Sequence, residues 1–426
     1  MKIANLYKVY KASSGICTDT RQIKNECLFI ALSGESFNGN TFAQEALDKG
    51  AKAVVVDDKK YHKTTGETIF VKNSLKSLQN LAQYHRKQLG LKIIALTGSN
   101  GKTTTKELIN AVLSQKFTTT ATKGNLNNHI GVPLTLLSMN SDTEIGIVEM
   151  GANHMGEIKA LANLALPDYG YITNFGKAHL EGFGSIEGVI KAKTELYSFL
   201  KSNNKHVFIN QEDEQQIISS NGMNRISFGT DKGEYKVELA DSTKELILKY
   251  DGVMIQSNLV GVYNYPNLSA AIAIGAYFGV EIELIKKGIE EYIPTNNRSQ
   301  ILTKETNTIL MDAYNANPTS MLAALKNFKS IHKENKVLFL GDMFELGNDS
   351  DEEHQNIVDF LTHNQIGRVF LVGKNFYKTN ITGDLIEKLE TFEDLKAAIT
   401  AQPPTNATIL IKGSRGMALE RILELI

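Results

Sequence analysis

The chain is predicted to be an α/β protein of three successive domains. Short apolar runs alternate with helically spaced segments along its length, as packed strands and covering helices require. A strand, a glycine-rich turn and a helix follow one another in "IIALTGSNGKTTTKEL", residues 93–108. The last segment repeats the strand–helix order, as a small Rossmann-like domain would.

In residues 1–88, "CLFIALSG", "AKAVVVDD" and "TIFVKN" read as strands, with "TFAQEALDKG" a helix stopped at Gly50. "SLKSLQNLAQYHRKQLG" has Leu75, Leu78, Leu81, Ala82 and Leu89 near helical spacing, with Gly90 as its stop. Residues 89–297 open on "KIIALTG" and continue through "EIGIVEM" and "DYGYITNFG". "RISFG", "YKVELA", "ELILKY" and "VMIQSNLVG" follow as expected antiparallel strands, then the helix "YPNLSAAIAIGAYFG" and another ending near Tyr292. "PTNNRSQ" reads as a linker, and residues 298–426 carry the strands "TNTILMDAY", "NKVLFLGDM", "GRVFLVGK" and "ATILIKGS".

Composition narrows the function classes. A length of 426 residues suggests roughly two to four domains. At 42% hydrophobic and 22% charged, several buried cores are feasible. A net charge of −1 without a long basic run argues against nucleic acid and anionic membrane as partners. Cys17 and Cys27 are the only cysteines, so a disulfide framework or cysteine zinc site is not expected and a reducing cytoplasm fits. The first residues lack the apolar core of a signal peptide, and no run approaches the ~18 apolar residues of a membrane span. A cytoplasmic monomer without membrane insertion is expected.

The turn at 98–101 is a shortened phosphate loop. The general form places four residues between its first glycine and the Gly-Lys pair; here only Ser99 and Asn100 separate Gly98 from Gly101 and Lys102. The physical parts remain. Glycine lets phosphate approach backbone amides, and the helix start adds unpaired N–H groups and the positive end of its dipole. The Lys102 ammonium can reach the β- and γ-phosphates, and the Thr103 hydroxyl can ligate Mg²⁺. An ordinary turn before a threonine-rich helix is the plainer alternative, but Gly-Lys-Thr between strand and helix favours ATP. Gly98, Ser99, Asn100, Gly101, Lys102, Thr103 and Thr104 form the expected ATP loop.

The compressed "TGSNGKTT" resembles the loop of the Mur ligase family. "TKGNLNNHIGVP", "VEMGANHMGEI", "AHLEGFGS", "DAYNANPTSM", "GDMFELG" and "KGSR" resemble further blocks of that family in the expected order. The resemblance implies an N-terminal UDP-sugar domain, a central P-loop ATPase domain with a mostly parallel sheet, and a C-terminal Rossmann-like domain for the incoming substrate. It is strongest to the branch joining D-alanyl-D-alanine to UDP-N-acetylmuramoyl-tripeptide with ATP and two Mg²⁺ ions, through an acyl phosphate. The third residue of that tripeptide is either diaminopimelate or lysine.

The resemblance also implies roles for individual residues. Glu149 and His179 would hold the second metal, although a solvated glutamate and a structural histidine are the plainer readings of each alone. Lys193 in "IKAKTELY" matches a lysine that is carbamylated in many family members; a solvated helix lysine is its alternative. Asn264 and Asn267 would meet the adenine edge, Arg298 the γ-phosphate and Asp312 the ribose. Thr20 and Arg21 would bind the UDP diphosphate, with Ser33, Gly34, Asn38 and Gly39 in a polar loop nearby. Tyr314, Asn315, Asn317 and Lys412 would line the dipeptide site. Arg415 follows a strand at a sheet edge where ligands bind, and its fork suits the dipeptide's terminal carboxylate; capping the next helix or pairing with Glu420 is its alternative.

Overall fold

The computed structural model describes residues 2–295 and 297–426; Asn296, in the expected linker, lies outside them. Among the described residues the strands gather into three principal sheets. The first has Ile16–Cys17, Leu28–Ile30, Ala53–Val56 and Thr68–Phe70, all parallel. The helix Ser74–Leu89 starts where the Asn73 side chain accepts from Lys76 N, and it stops at Gly90 in the left-handed region. Its buried Leu78, Leu81 and Ala82 join a core shared with the central domain. Tyr10 donates to Leu137 O at 2.7 Å and Arg86 pairs with Asp168 at 2.9 Å, which ties the first domain to the second.

The central sheet places Lys92–Thr97 between Tyr169–Ile172 and Ile145–Glu149, all parallel. The ends of these strands therefore converge on the phosphate loop, as open α/β sheets do. Parallel strands covered on both faces read as continuous apolar runs. "IIAL" fits, with Ile93, Ile94, Ala95 and Leu96 all inaccessible to solvent. The expected antiparallel run needs one correction. Asn224–Gly229 pairs in parallel with His206–Asn210, and antiparallel pairing begins only between Tyr235–Asp241 and Glu245–Tyr250. Phe228 is wholly buried, and burial on both faces is what a parallel position demands.

The third sheet orders Gln300–Lys304, Asn307–Asp312, Thr408–Lys412, Lys336–Gly341, Arg368–Val372 and Ile386–Leu389. Its first pair is antiparallel and the rest are parallel. Gln300, read as linker from sequence, thus begins an edge strand. The first helix, Ile3–Lys11, was not among the elements expected from the sequence. No helix among the described residues is long and apolar enough to cross a membrane.

Candidate active site

The phosphate loop is held by backbone geometry and by the loop after the neighbouring strand. Gly98 has φ 144°, and a Cβ there would lie 1.9 Å from Thr173 Oγ1; Gly101 has φ 78°, with Asn267 Oδ1 2.6 Å from such a Cβ. Both glycines are therefore required by conformation and by contact. Ser99 N and Asn100 N donate to Asn174 O and Oδ1, each at 3.1 Å, and Thr173 Oγ1 donates to Asn100 O at 2.6 Å. Asn174, in "ITNFG", had no role assigned from sequence; its place just past a strand neighbouring the loop was the available signal. The helix Lys102–Leu113 has no side-chain cap, and Thr103 and Thr104 are buried in its first turn.

Lys102 Nζ folds back onto Gly98 O at 2.7 Å and Ser99 O at 3.1 Å. Burial lowers its pKa to about 8, Glu149 opposes the shift and Arg298 adds to it. A desolvated cation that feels a second positive charge creates a positive potential that an anion relieves.

Glu149 ends its strand only 1% exposed. Oε1 accepts from Asn127 Nδ2 at 2.8 Å and from Thr103 Oγ1 at 3.3 Å, while Oε2 finds no partner among the described residues. A buried, half-satisfied carboxylate beside a hydroxyl is a donor set suited to a hard cation, so the residues fit Mg²⁺. Asn127 lies within the quoted "TKGNLNNHIGVP" but had no role assigned.

His179 departs from the expected arrangement. Its Nδ1 stands against the Glu345 carboxylate of the C-terminal domain, off the line of a regular hydrogen bond, and holds that carboxyl below its usual range. Among the described residues no three His, Cys, Asp or Glu side chains gather as a metal cluster. The structure thus pairs His179 with Glu345 of "GDMFELG" rather than uniting it with Glu149. Lys193 is fully buried, whereas Lys191 is exposed. Lys193 Nζ reaches Ala152 O at 3.4 Å and lies 5.1 Å from the Phe183 ring centre. Burial, then the Lys102 charge, lower its pKa to about 7, with Glu157 and Glu195 opposing.

Asn264 and Asn267 are buried and engaged within the protein. Asn264 Nδ2 donates to Val260 O at 2.8 Å and Ser299 Oγ at 3.2 Å, and its Oδ1 accepts from Asn267 Nδ2 at 3.0 Å. Asn267 Oδ1 accepts from Thr105 Oγ1 at 3.0 Å. The pair braces the phosphate-loop helix through these bonds. Arg298 lies with Cζ 3.7 Å from the Tyr314 ring centre and its Nε has no hydrogen-bond partner among the described residues. Asp312 accepts from Lys412 Nζ at 2.6 Å.

That ion pair corrects the expectation for Lys412, which is 1% exposed and bound to Asp312 and Asn315 O instead of open to a dipeptide. Asn317 is likewise engaged within the protein. It caps the helix Pro318–Ser330 in a capping box and donates from Nδ2 to Asn100 Oδ1 at 2.6 Å, joining the C-terminal domain to the phosphate loop. Asn317→Ala is expected to cost about 1 kcal/mol through the lost cap and to raise the Michaelis constant for ATP; thermal unfolding and steady-state kinetics measure the two effects. Asn315 Oδ1 accepts from Ala316 N at 2.9 Å, and the Tyr314 ring lies near two arginines, Arg298 and Arg415. Arg415 is exposed and meets Glu420 at 3.3 Å, the alternative pairing foreseen from sequence.

In the first domain Arg21 is largely exposed and forks onto Asp19, with Nε 2.9 Å from Oδ1 and Nη2 2.7 Å from Oδ2. Thr20 O accepts from Lys49 Nζ at 3.2 Å. Ser33, Gly34 and Asn38 lie on a small hairpin, beside a shallow depression lined also by Phe37 and Asn40. Gly39 is required by packing, since a Cβ would lie 2.1 Å from Leu32 O. Asn40 organises this loop through Ser33, Asn38 and Asp57, a role not assigned from sequence.

Known proteins share this architecture. Family models described as Mur ligase family, catalytic domain, as Mur ligase middle domain, and as Mur ligase, glutamate ligase domain match residues 13–96, 96–275 and 297–415. The chain is 36% identical over 421 residues to the UDP-N-acetylmuramoyl-tripeptide–D-alanyl-D-alanine ligase of Bacillus subtilis (strain 168), covering 96% of this chain and 92% of that protein. A crystal structure of MurF from Acinetobacter baumannii superposes with a TM-score of 0.86 at 29% identity, covering 99% of this chain and 98% of that one. The MurF ligase of Thermotoga maritima, solved in complex with ADP, shares the fold at a TM-score of 0.83 and 24% identity, over 97% of each chain. With family models following one another along the chain and its phosphate loop built as described, the protein belongs to the Mur ligase family.

Proposed function

We propose that this chain joins D-alanyl-D-alanine to UDP-N-acetylmuramoyl-tripeptide at the expense of ATP, as an acid–amino acid ligase of peptidoglycan precursor synthesis. The likeness to the Bacillus subtilis ligase across 96% of the chain carries the reading, and the buried Lys102 at the glycine loop gives it a chemical basis. A tripeptide carboxylate oxygen attacks the γ-phosphorus, the bond to the β-phosphate oxygen breaks, and ADP leaves. Attack by the dipeptide amine on the resulting acyl phosphate forms the amide, with loss of phosphate and a proton.

Lys102 would exchange its two carbonyl partners for phosphate oxygens, and Arg298 would face the γ-phosphoryl group from the C-terminal side. Together they offset the repulsion between carboxylate and triphosphate. Asp312, held by Lys412, would meet the ribose. Glu149 and Thr103 would hold one Mg²⁺, and Lys193 as a carbamate would add an oxygen ligand for a second; His179, taken up by Glu345, is left out of that set. Bound there, Mg²⁺ supplies Lewis-acid stabilisation of phosphoryl charge. Contacts such as Asn100–Asn317 would help close the central and C-terminal domains around the acyl phosphate and limit its hydrolysis. Both substrates and ATP are soluble, which suits a cytoplasmic enzyme.

The decisive assay is ADP release with UDP-N-acetylmuramoyl-tripeptide, with and without D-alanyl-D-alanine. Sustained release is expected only with both substrates. Release independent of both identifies a P-loop nucleotidase without ligase activity and rejects the reading. Glu149→Gln is expected to weaken Mn²⁺ binding, read by paramagnetic resonance, by about tenfold or more, the scale of one lost charge contact. Arg415→Lys keeps the charge and loses the fork. It is expected to raise the Michaelis constant for D-alanyl-D-alanine more than that for ATP, and equal effects on both would sink the carboxylate role.

A further inference from the structure

We propose that Tyr314 is a positioning residue that couples the nucleotide half of the site to the dipeptide half. The proposal rests on the phosphate role given to Arg298 and the carboxylate role given to Arg415. One ring serves both. The Arg298 guanidinium carbon lies 3.7 Å from its centre and that of Arg415 lies 5.6 Å away. Guanidinium groups at these distances are held by the ring quadrupole, most strongly where water is excluded. Tyr314 N also donates to Asn297 O at 3.2 Å, so the same residue fixes the backbone that carries Arg298.

The two arginines are otherwise loosely held. Arg298 Nε is buried without a hydrogen-bond partner among the described residues, and Arg415 has one contact, Nη1 to Glu420 at 3.3 Å. Neither guanidinium is locked by a bidentate carboxylate, so its plane depends on Tyr314. A nucleotide that orients Arg298 reorients the ring against Arg415, and the Arg415 fork then meets a carboxylate already aligned. The coupling is reciprocal, since a dipeptide that fixes Arg415 prepares Arg298 for the γ-phosphate.

The test is calorimetric titration of D-alanyl-D-alanine into enzyme loaded with UDP-N-acetylmuramoyl-tripeptide, with and without a non-hydrolysable ATP analogue. In the unmodified enzyme and in Tyr314→Phe, the analogue is expected to tighten dipeptide binding about tenfold. In Tyr314→Leu that ratio is expected to fall towards one while each ligand still binds alone. An unchanged ratio in Tyr314→Leu, or no coupling in the unmodified enzyme, overturns the proposal. A residue that merely covers the linker would lower thermal stability and leave the ratio intact. Should Tyr314→Leu not fold, Tyr314→His, with a smaller ring, is expected to reduce the ratio, and an undiminished value again overturns it. Arg298→Ala and Arg415→Ala separate the two levels. If they leave analogue and dipeptide affinities unaltered, the roles of the arginines fail, irrespective of Tyr314.

Discussion

Replacing Lys102 with alanine is expected to abolish ligation, with a fall in kcat/KM of about 1,000-fold or more, while the fold persists. Lys102 contacts only loop carbonyls and is not part of an apolar cluster. In the proposed reaction it would meet phosphate charge that no neighbouring neutral group can meet. Stability should move the other way. With a folded pKa of about 8 against an ordinary 10.5, the unfolded chain binds the extra proton between those values. Stability therefore rises with pH across that window, and the cost of the buried cation is fully present below about pH 8. Lys102→Ala should match or exceed the parent in thermal unfolding at pH 7. A variant that is active, or that unfolds, removes the phosphate role.

Lys193→Ala is expected to lose metal-dependent activity by about 100-fold or more and to recover part of it with small carboxylic acids. A carbamate forms when a neutral amine attacks CO₂ and loses a proton. Full burial has brought the Lys193 pKa to about 7, so the neutral amine is abundant near neutrality. The unmodified amine destabilises the fold below about pH 7 and progressively less up to its ordinary 10.5. Lys193→Met, which fills the same space without a charge, should thus raise the unfolding temperature at pH 7 relative to parent protein freed of CO₂, even as activity is lost. Intact-mass measurement under gentle conditions should find a CO₂ adduct on the parent and none on either variant. A fully active Lys193→Ala would reduce this lysine to packing.

The sequence by itself determined the α/β class, most strands, a minority of the helices, and the phosphate loop. These follow from local rules. "KIIALTG" is a buried parallel strand because its apolar run is continuous, and Gly98 and Gly101 bend the chain where side chains would strain it. The ordered blocks were enough to point to the family. The sequence also placed Glu149 at a strand end, and the family resemblance singled out Lys193 over Lys191; Lys193 is the buried one of the two.

Only the tertiary structure decided what each polar side chain meets. Asn100 and Asn317 bond across 217 positions, and Asp312 and Lys412 across 100. The distribution of partners was likewise hidden: Asn264 and Asn267 brace the loop helix, and His179 turns to Glu345. A short polar motif states which donors and acceptors are present. Hydrogen bonds and ion pairs depend on distances of a few ångströms and on desolvation. Both are fixed only when the strands, helices and domains have packed, so periodicity could reveal the scaffold while folding alone distributed the bonds within it.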